Sequence, residues 1–203
     1  MKPTTETEVK FHIADVDGLA KRLQDIGAEL VSPAIHEYNL RFDTPAGDIY
    51  RKGSVLRLRR DSTSHLTFKG KSKNLDGVLS REEIEFTVGD FESARKFIEA
   101  LGFKVVAVYE KFRTEYKLCD LHFMMDKLPF GNFLEIEGPN VASIQNVAHE
   151  LHLNWSAAVK AGYLGILRRL CDGRELDETL LTFEALKESD FNLGDISIRS
   201  ADK

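Results

Sequence analysis

Cysteine is almost missing from this chain of 203 residues: Cys119 and Cys171 stand far apart, form no CxxC pair and are too few for a disulfide framework. Two isolated thiols fit a reducing compartment and read more simply as packed side chains than as redox groups. No stretch approaches the roughly 20 apolar residues of a membrane span, and the opening "MKPTTETEVKFH" lacks the apolar segment of a secretion signal. A cytoplasmic protein with no membrane partner is expected. An excess of base is lacking too. With 28 basic and 33 acidic residues the formal net charge is −5 at pH 7, which gives no support to nucleic-acid binding. An anion site must then be a local gathering of base.

What is present is a hydrophobic content of 42 %, enough to build a core, and an alternation that keeps returning. Val9, Phe11 and Ile13 alternate with Glu6, Glu8, Lys10 and His12, as a strand with one buried face requires. A helix should follow in "DVDGLAKRLQDIGAEL", capped by Asp15 or Asp17 and stopped by Gly27. Further strands are expected in "IHEYNLRFDT", "SVLRLRRD", "HLTFKGKS", "LSREEIEFTV", "FKVVAVYEKFRTEYKL", "LHFMMDKL" and "GNFLEIEG", with a helix "DFESARKFIEALG" from Asp90 to Gly102. "ETEVKF", helix, "IGAEL" is echoed by "REEIEF", helix, "LGFKV", a weak tandem repeat. After Gly138 the pattern predicts helices over about 141–152, 155–172 and 177–188, then a loosely held polar tail from 191 to 203. The whole of 1–190 reads as a single domain, its strands spanning about 5–138 and its C-terminal helices about 141–188. Monomer and homodimer are both open, and an exposed apolar patch on those helices would be able to support a dimer.

Each strand carries one apolar and one charged face. Arg57 and Arg59, Arg81, Glu83 and Glu85, Lys111 and Arg113, and Glu135 and Glu137 all share this parity. A sheet with one face in water explains any one of them. A sheet closed on itself, with the charged face inside and helices outside, explains them together. The charged positions sort by sign, with Arg57, Arg59, Lys69, Lys111 and Arg113 against Glu6, Glu8, Glu83, Glu85, Asp126, Glu135 and Glu137. Enclosed carboxylates need a cation, and hard oxygen donors favour Mg2+ or Mn2+. Enclosed arginines need an anion, and their forked donors match phosphate oxygens. A metal-bound polyphosphate satisfies both sets.

These residues resemble the CYTH superfamily of class IV adenylate cyclases and thiamine triphosphatases, the triphosphate tunnel metalloenzymes. The match is to its Glu-x-Glu-x-Lys signature, here Glu6, Glu8 and Lys10, followed in family order by "LRLRR", "TFKG", "REEIE", "KFR", Asp126 and "LEIEG" over residues 6 to 138. The resemblance implies an α+β fold: a closed eight-stranded antiparallel β-barrel forming a tunnel, with helices packed on the outside. It implies that Lys10, Arg57, Arg59, Lys69, Lys111 and Arg113 hold phosphates. Glu6, Glu8, Asp126, Glu135 and Glu137 would hold one or two divalent ions, with Glu83 and Glu85 as intermediate candidates. Arg81 is either a phosphate contact or a salt-bridge partner of these acids, and Glu6, Glu8 and Lys10 form the catalytic group. The short gap between Asp126 and "LEIE" leaves open which of Glu135 and Glu137 meets metal. The implied activity is hydrolysis of a small triphosphate (inorganic tripolyphosphate, ATP or thiamine triphosphate). Adenylate cyclisation is the alternative, and a non-catalytic polyphosphate- or nucleotide-binding module stands behind both. "GYLGILRRL" resembles the C-terminal helix of the cyclase-type members. Tyr38, Phe42, Tyr50 and Tyr109 are candidates for an aromatic mouth, and His12, His36 and His122 lack metal-ligand spacing.

Overall fold

The alternating segments become the strands of one sheet. The computed structural model describes residues 4–75 and 78–203. Strand β1 (Thr4–Ile13) leads into helix α1 (Val16–Asp25), whose first turn is capped by the Asp15 carboxylate accepting from the Gly18 N–H. Strand β2 (Glu29–Asp43), a single turn α2 (Asp48–Arg51), and strands β3 (Val55–Arg60), β4 (Ser64–Lys69), β5 (Lys73–Leu75) and β6 (Val78–Val88) follow. Helix α3 (Phe91–Ala100), capped by Asp90, then precedes β7 (Lys104–Leu118), β8 (Leu121–Leu128) and β9 (Gly131–Glu137). Gly27 and Gly102 end α1 and α3 at φ of 84° and 92°, a left-handed turn that a side chain would strain. The C-terminal part holds α4 (Val141–Glu150), α5 (Tyr163–Cys171) and a two-residue strand β10 (Leu180–Leu181) laid parallel on β7.

The main strands run in the order β1-β9-β8-β7-β2-β3-β4-β6, and β1 also pairs with β6, so eight antiparallel strands form a ring. The expected closed sheet is present. Its connectivity repeats: β1-α1-β2-β3-β4 matches β6-α3-β7-β8-β9, and the two halves meet in the pairs β1–β6, β2–β7, β1–β9 and β4–β6. The echo between "ETEVKF" and "REEIEF" is the trace of that repeat. Strand β1 pairs with β6 only from Thr4 to Glu8 and with β9 from Glu8 to Ile13. Beyond Glu8 the C-terminal part takes over that edge, the Val159 N–H donating to the Lys10 carbonyl and the Ala201 N–H to the His12 carbonyl.

Apolar side chains pack outside the ring and at one end of it. Val9, Phe11 and Ile13 meet Leu19 and Leu23 of α1 and Ile144 and Val147 of α4. Leu40, Phe42 and Leu58 pack against Phe91 and Ile98 of α3. Tyr109, Phe133, Tyr163, Ile166 and Leu170 join the barrel to α5. Three expectations change here. The helix expected over 155–172 is a short 3-10 turn at Trp155–Ala157 and then α5 from Tyr163, the chain turning extended at Ala158 (ψ 128°) and still extended at Gly162 (ψ 161°). The segment 177–188 contains β10 and turns in place of a helix. The tail is not loose: Ile198 and Ala201 are buried, and the Asp202 carboxylate accepts from the Ala14 and Asp15 N–H groups. Large exposed apolar side chains are found on β6 (Ile84, Phe86) and α3 (Phe97, with Leu101 just after it), not on α5.

Candidate active site

Strand order decides which charges face each other. In a ring of eight, β1 lies opposite β2, so the strands beside β1 form one wall and those beside β2 the other. One wall carries Glu6 and Glu8 (β1), Glu83 and Glu85 (β6) and Glu135 and Glu137 (β9), with Lys10 and Arg81 among them. The facing wall carries Lys111 and Arg113 (β7), Arg41 (β2) and Arg57 and Arg59 (β3), and Lys69 (β4) stands at the seam beside β6, its Cα opposite that of Glu83. All line one cavity of about 480 Å³. Of the residues expected from the sequence, Asp126 alone is set behind the cavity wall, with a fully buried side chain.

Ion pairs hold these side chains in place. Lys69 Nζ lies 2.6 Å from Glu6 Oε1 and 3.1 Å from Glu83 Oε2. Arg81 bridges Glu6 at 2.8 Å and Glu8 at 3.3 Å, so Arg81 is a partner of the first-strand acids as well as a cavity residue. Lys10 and Arg113 both pair with Glu135. Arg57 and Arg59 each reach Glu85 at 3.3 Å. Asp126 accepts from Lys111 at 2.9 Å, from Arg113 at 2.6 Å and from the Tyr163 hydroxyl at 2.8 Å. Its carboxylate thus anchors the basic wall.

The electrostatics divide the acids of the cavity into two groups. Burial alone would raise the Glu6 carboxyl, but Lys69 and Arg81 override it and hold it at about 2. Glu37, buried behind Lys111, Arg113 and Arg59, is likewise held at about 2 against its own burial. Glu135 is kept well below the usual range by Lys10, Arg113 and Lys111, again against burial. Within the same acidic wall, burial and the neighbouring Glu135 raise Glu8, and burial with Glu6, Glu8 and Glu83 lifts Glu137 to about 7. Glu137 has no ion pair among the described residues. Glu8 and Glu137, raised by their acidic neighbours, are short of positive charge, and a divalent cation held by them with Glu6 and Glu83 would supply it. Among the described residues no three such side chains already converge as a ready-made cluster, because Lys69 and Arg81 stand between them. The donor set fits a hard divalent ion in chemistry and charge.

Residues outside the charged set drawn from the sequence complete the site. Glu37 and Arg41 share the inward parity of β2 with Asn39, a signal that was present in "EYNLR". Glu115 and His122 line the cavity and bond each other at 2.8 Å. Tyr163, with Lys10 4.3 Å above its ring, carried no such signal, since it enters from α5. The candidate aromatic mouth is not assembled. Phe42 is buried in the α3 cluster, Tyr38 stacks beside Phe91, and Tyr50 is largely exposed against Arg168, leaving Tyr109 as the one of the four at the cavity. His12 and His36 also lie off its lining.

A family model, the CYTH domain, matches residues 4–152. The chain belongs to the CYTH domain family. A CYTH relative from Methanocaldococcus jannaschii, named "Putative adenylate cyclase", is 31 % identical over 135 residues, covering 65 % of this chain and 75 % of that protein. Among solved structures, a Pyrococcus horikoshii protein superposes with a TM-score of 0.67 at 27 % identity, covering 78 % of this chain and 96 % of that one. A Hippeastrum protein reported to have a dominant triphosphatase activity superposes with a TM-score of 0.61 at 19 % identity, covering 85 % and 98 %. Residues 153–203, including Tyr163, lie beyond the CYTH match. Among the described residues no helix is long and apolar enough to cross a membrane.

Proposed function

We propose that the protein is a divalent-cation-dependent enzyme that hydrolyses the triphosphate of a small molecule. Facing walls of opposite charge in one cavity carry this reading. A polyphosphate chain needs guanidinium and ammonium donors along its oxygens, which Arg57, Arg59, Lys69, Lys111 and Arg113 provide. The cation it brings needs the carboxylates opposite, and Mg2+ or Mn2+ suits oxygen donors. When bound, the ion adds charge neutralisation at the phosphate oxygens. The chain's own residues do the rest. Glu37 and Asp126 fix the basic side chains from behind, so their charges are in place before substrate arrives. Lys10, held by Glu135 and the Tyr163 ring, keeps an ammonium beside the reacting phosphates. A water molecule is a sufficient nucleophile, since phosphoryl transfer depends chiefly on positioning and charge.

A triphosphate without a base fits best, because Tyr109 and Tyr163 are the aromatic side chains lining the cavity among the described residues and both are tied into the ionic network. The name of the M. jannaschii relative favours a second reading, conversion of ATP to cyclic AMP and pyrophosphate. Phosphorus NMR of tripolyphosphate, ATP and thiamine triphosphate, each with Mg2+ or Mn2+, separates the two. Orthophosphate is the expected product, pyrophosphate with cyclic AMP supports the cyclase, and no product from any substrate refutes both.

A further inference from the structure

Every other arginine of the cavity is paired with an acid, and Arg41 is not. Its Cα lies opposite that of Arg57 in the β2–β3 ladder, so both side chains point into the ring, and both line the cavity. Among the described residues Arg41 has no hydrogen bond and no ion pair. The nearest acid along its strand, Asp43, is already committed: its carboxylate accepts from the N–H groups of Thr44, Ile49 and Tyr50 at 2.7 to 2.9 Å. Burial and the like charges of Arg57 and Arg81 work against the Arg41 guanidinium, offset in part by Tyr109 and Asp43. Beside it stands Tyr109, buried, whose hydroxyl oxygen accepts from Arg57 Nη1 at 3.3 Å and donates to no group among the described residues. Arg57 Nε, shut from solvent, also lacks an acceptor.

We propose that Arg41 and Tyr109, backed by Arg57, form a phosphate-binding subsite on the wall facing the carboxylates. The proposal rests on the triphosphate reading above and adds to it the position of one phosphate group. An arginine stays charged at any physiological pH, so a guanidinium left without a carboxylate beside two others is relieved by an anion. A tetrahedral oxyanion has enough acceptor oxygens for the Arg41 fork and the Tyr109 hydroxyl at once. Burial works against ionisation of Tyr109, while Arg57, Lys111 and Arg41 draw its proton toward release; a polarised O–H is the stronger donor to phosphate.

The test is calorimetric titration of tripolyphosphate, without metal and with Mn2+, into the wild type, Arg41→Gln, Arg41→Lys and Tyr109→Phe, with melting temperatures of the ligand-free proteins. Loss of a charge-assisted contact weakens binding about tenfold to a hundredfold in Arg41→Gln, and about threefold to tenfold in Tyr109→Phe. Arg41→Lys, which keeps charge and loses the fork, falls between Arg41→Gln and wild type and decides the matter if Arg41→Gln does not fold. Because Arg41 has no partner to lose, ligand-free Arg41→Gln should melt at or above the wild-type temperature. Unchanged affinity in Arg41→Gln overturns the subsite while leaving the triphosphate reading intact. A lowered melting temperature with a proportionate loss of binding overturns it in favour of a structural role. Failure of the wild type to bind under either condition overturns the triphosphate reading itself.

Discussion

Glu137 shows what enclosure does to a single carboxyl. An exposed glutamate titrates near about 4.3, and here burial and three neighbouring acids move the group to about 7. The raised value means that between these two points the folded chain binds more protons than the unfolded one, so this residue's contribution to stability declines as pH rises through that window. In metal-free buffer Glu137→Gln should therefore be more stable than wild type at pH 8 and equal to it at pH 4, as urea titrations at the two pH values would show. Glu6 and Glu37 act oppositely. Held at about 2, they stabilise the fold above the ordinary glutamate range and lose that contribution as pH falls toward 2. Lys10 differs again, since it pairs with Glu135 and would lie beside the reacting phosphates of the proposed substrate. Lys10→Gln should reduce kcat about 100-fold or more while far-ultraviolet circular dichroism stays unchanged.

Elements outside the sheet control how the charged interior is held. Helix α5 delivers one hydroxyl to a carboxylate whose other partners are Lys111 and Arg113. Tyr163→Phe removes that donor from a buried acceptor and should cost about 1–3 kcal/mol in denaturant unfolding. The last residues work on the other side of the sheet. Asp202 accepts from two N–H groups at the entry to α1, 2.9 and 2.8 Å away. Asp202→Ala removes the acceptors of both N–H groups and should cost about 1 kcal/mol, with no effect on KM for the triphosphate.

The whole molecule behaves as a charged container. Attraction of a polyanion to facing rows of base is screened by salt, the Debye length shrinking from about 10 Å at 0.1 M to about 3 Å at 1 M. The KM for tripolyphosphate should rise steeply over that range, with kcat changing far less. Removing divalent ions with a chelator should abolish turnover, and adding Mg2+ or Mn2+ should restore it. The circular dichroism spectrum should stay the same throughout, because the ion pairs of the cavity hold its walls without the metal.

Much of this was legible before any coordinates. Alternation of Glu6, Glu8 and Lys10 with Val9 and Phe11 dictates a strand with one charged face, since successive side chains on a strand point to opposite sides. The caps Asp15 and Asp90 and the stops Gly27 and Gly102 fix the two helices by local chemistry. The recurrence of the pattern announces the repeat, and the sorting of charge by sign announces an anion and a cation. What the sequence by itself determined is therefore the inventory of strands and the faces they present. Only the tertiary structure decided which faces meet. Ring order sets β1 across from β2, ion pairing puts Asp126 behind the wall and leaves Arg41 unpaired, and the chain extended at Ala158 and Gly162 breaks the expected long helix so that Tyr163 can enter. These are contacts between segments far apart in the chain, and their energies depend on neighbours that no local pattern encodes.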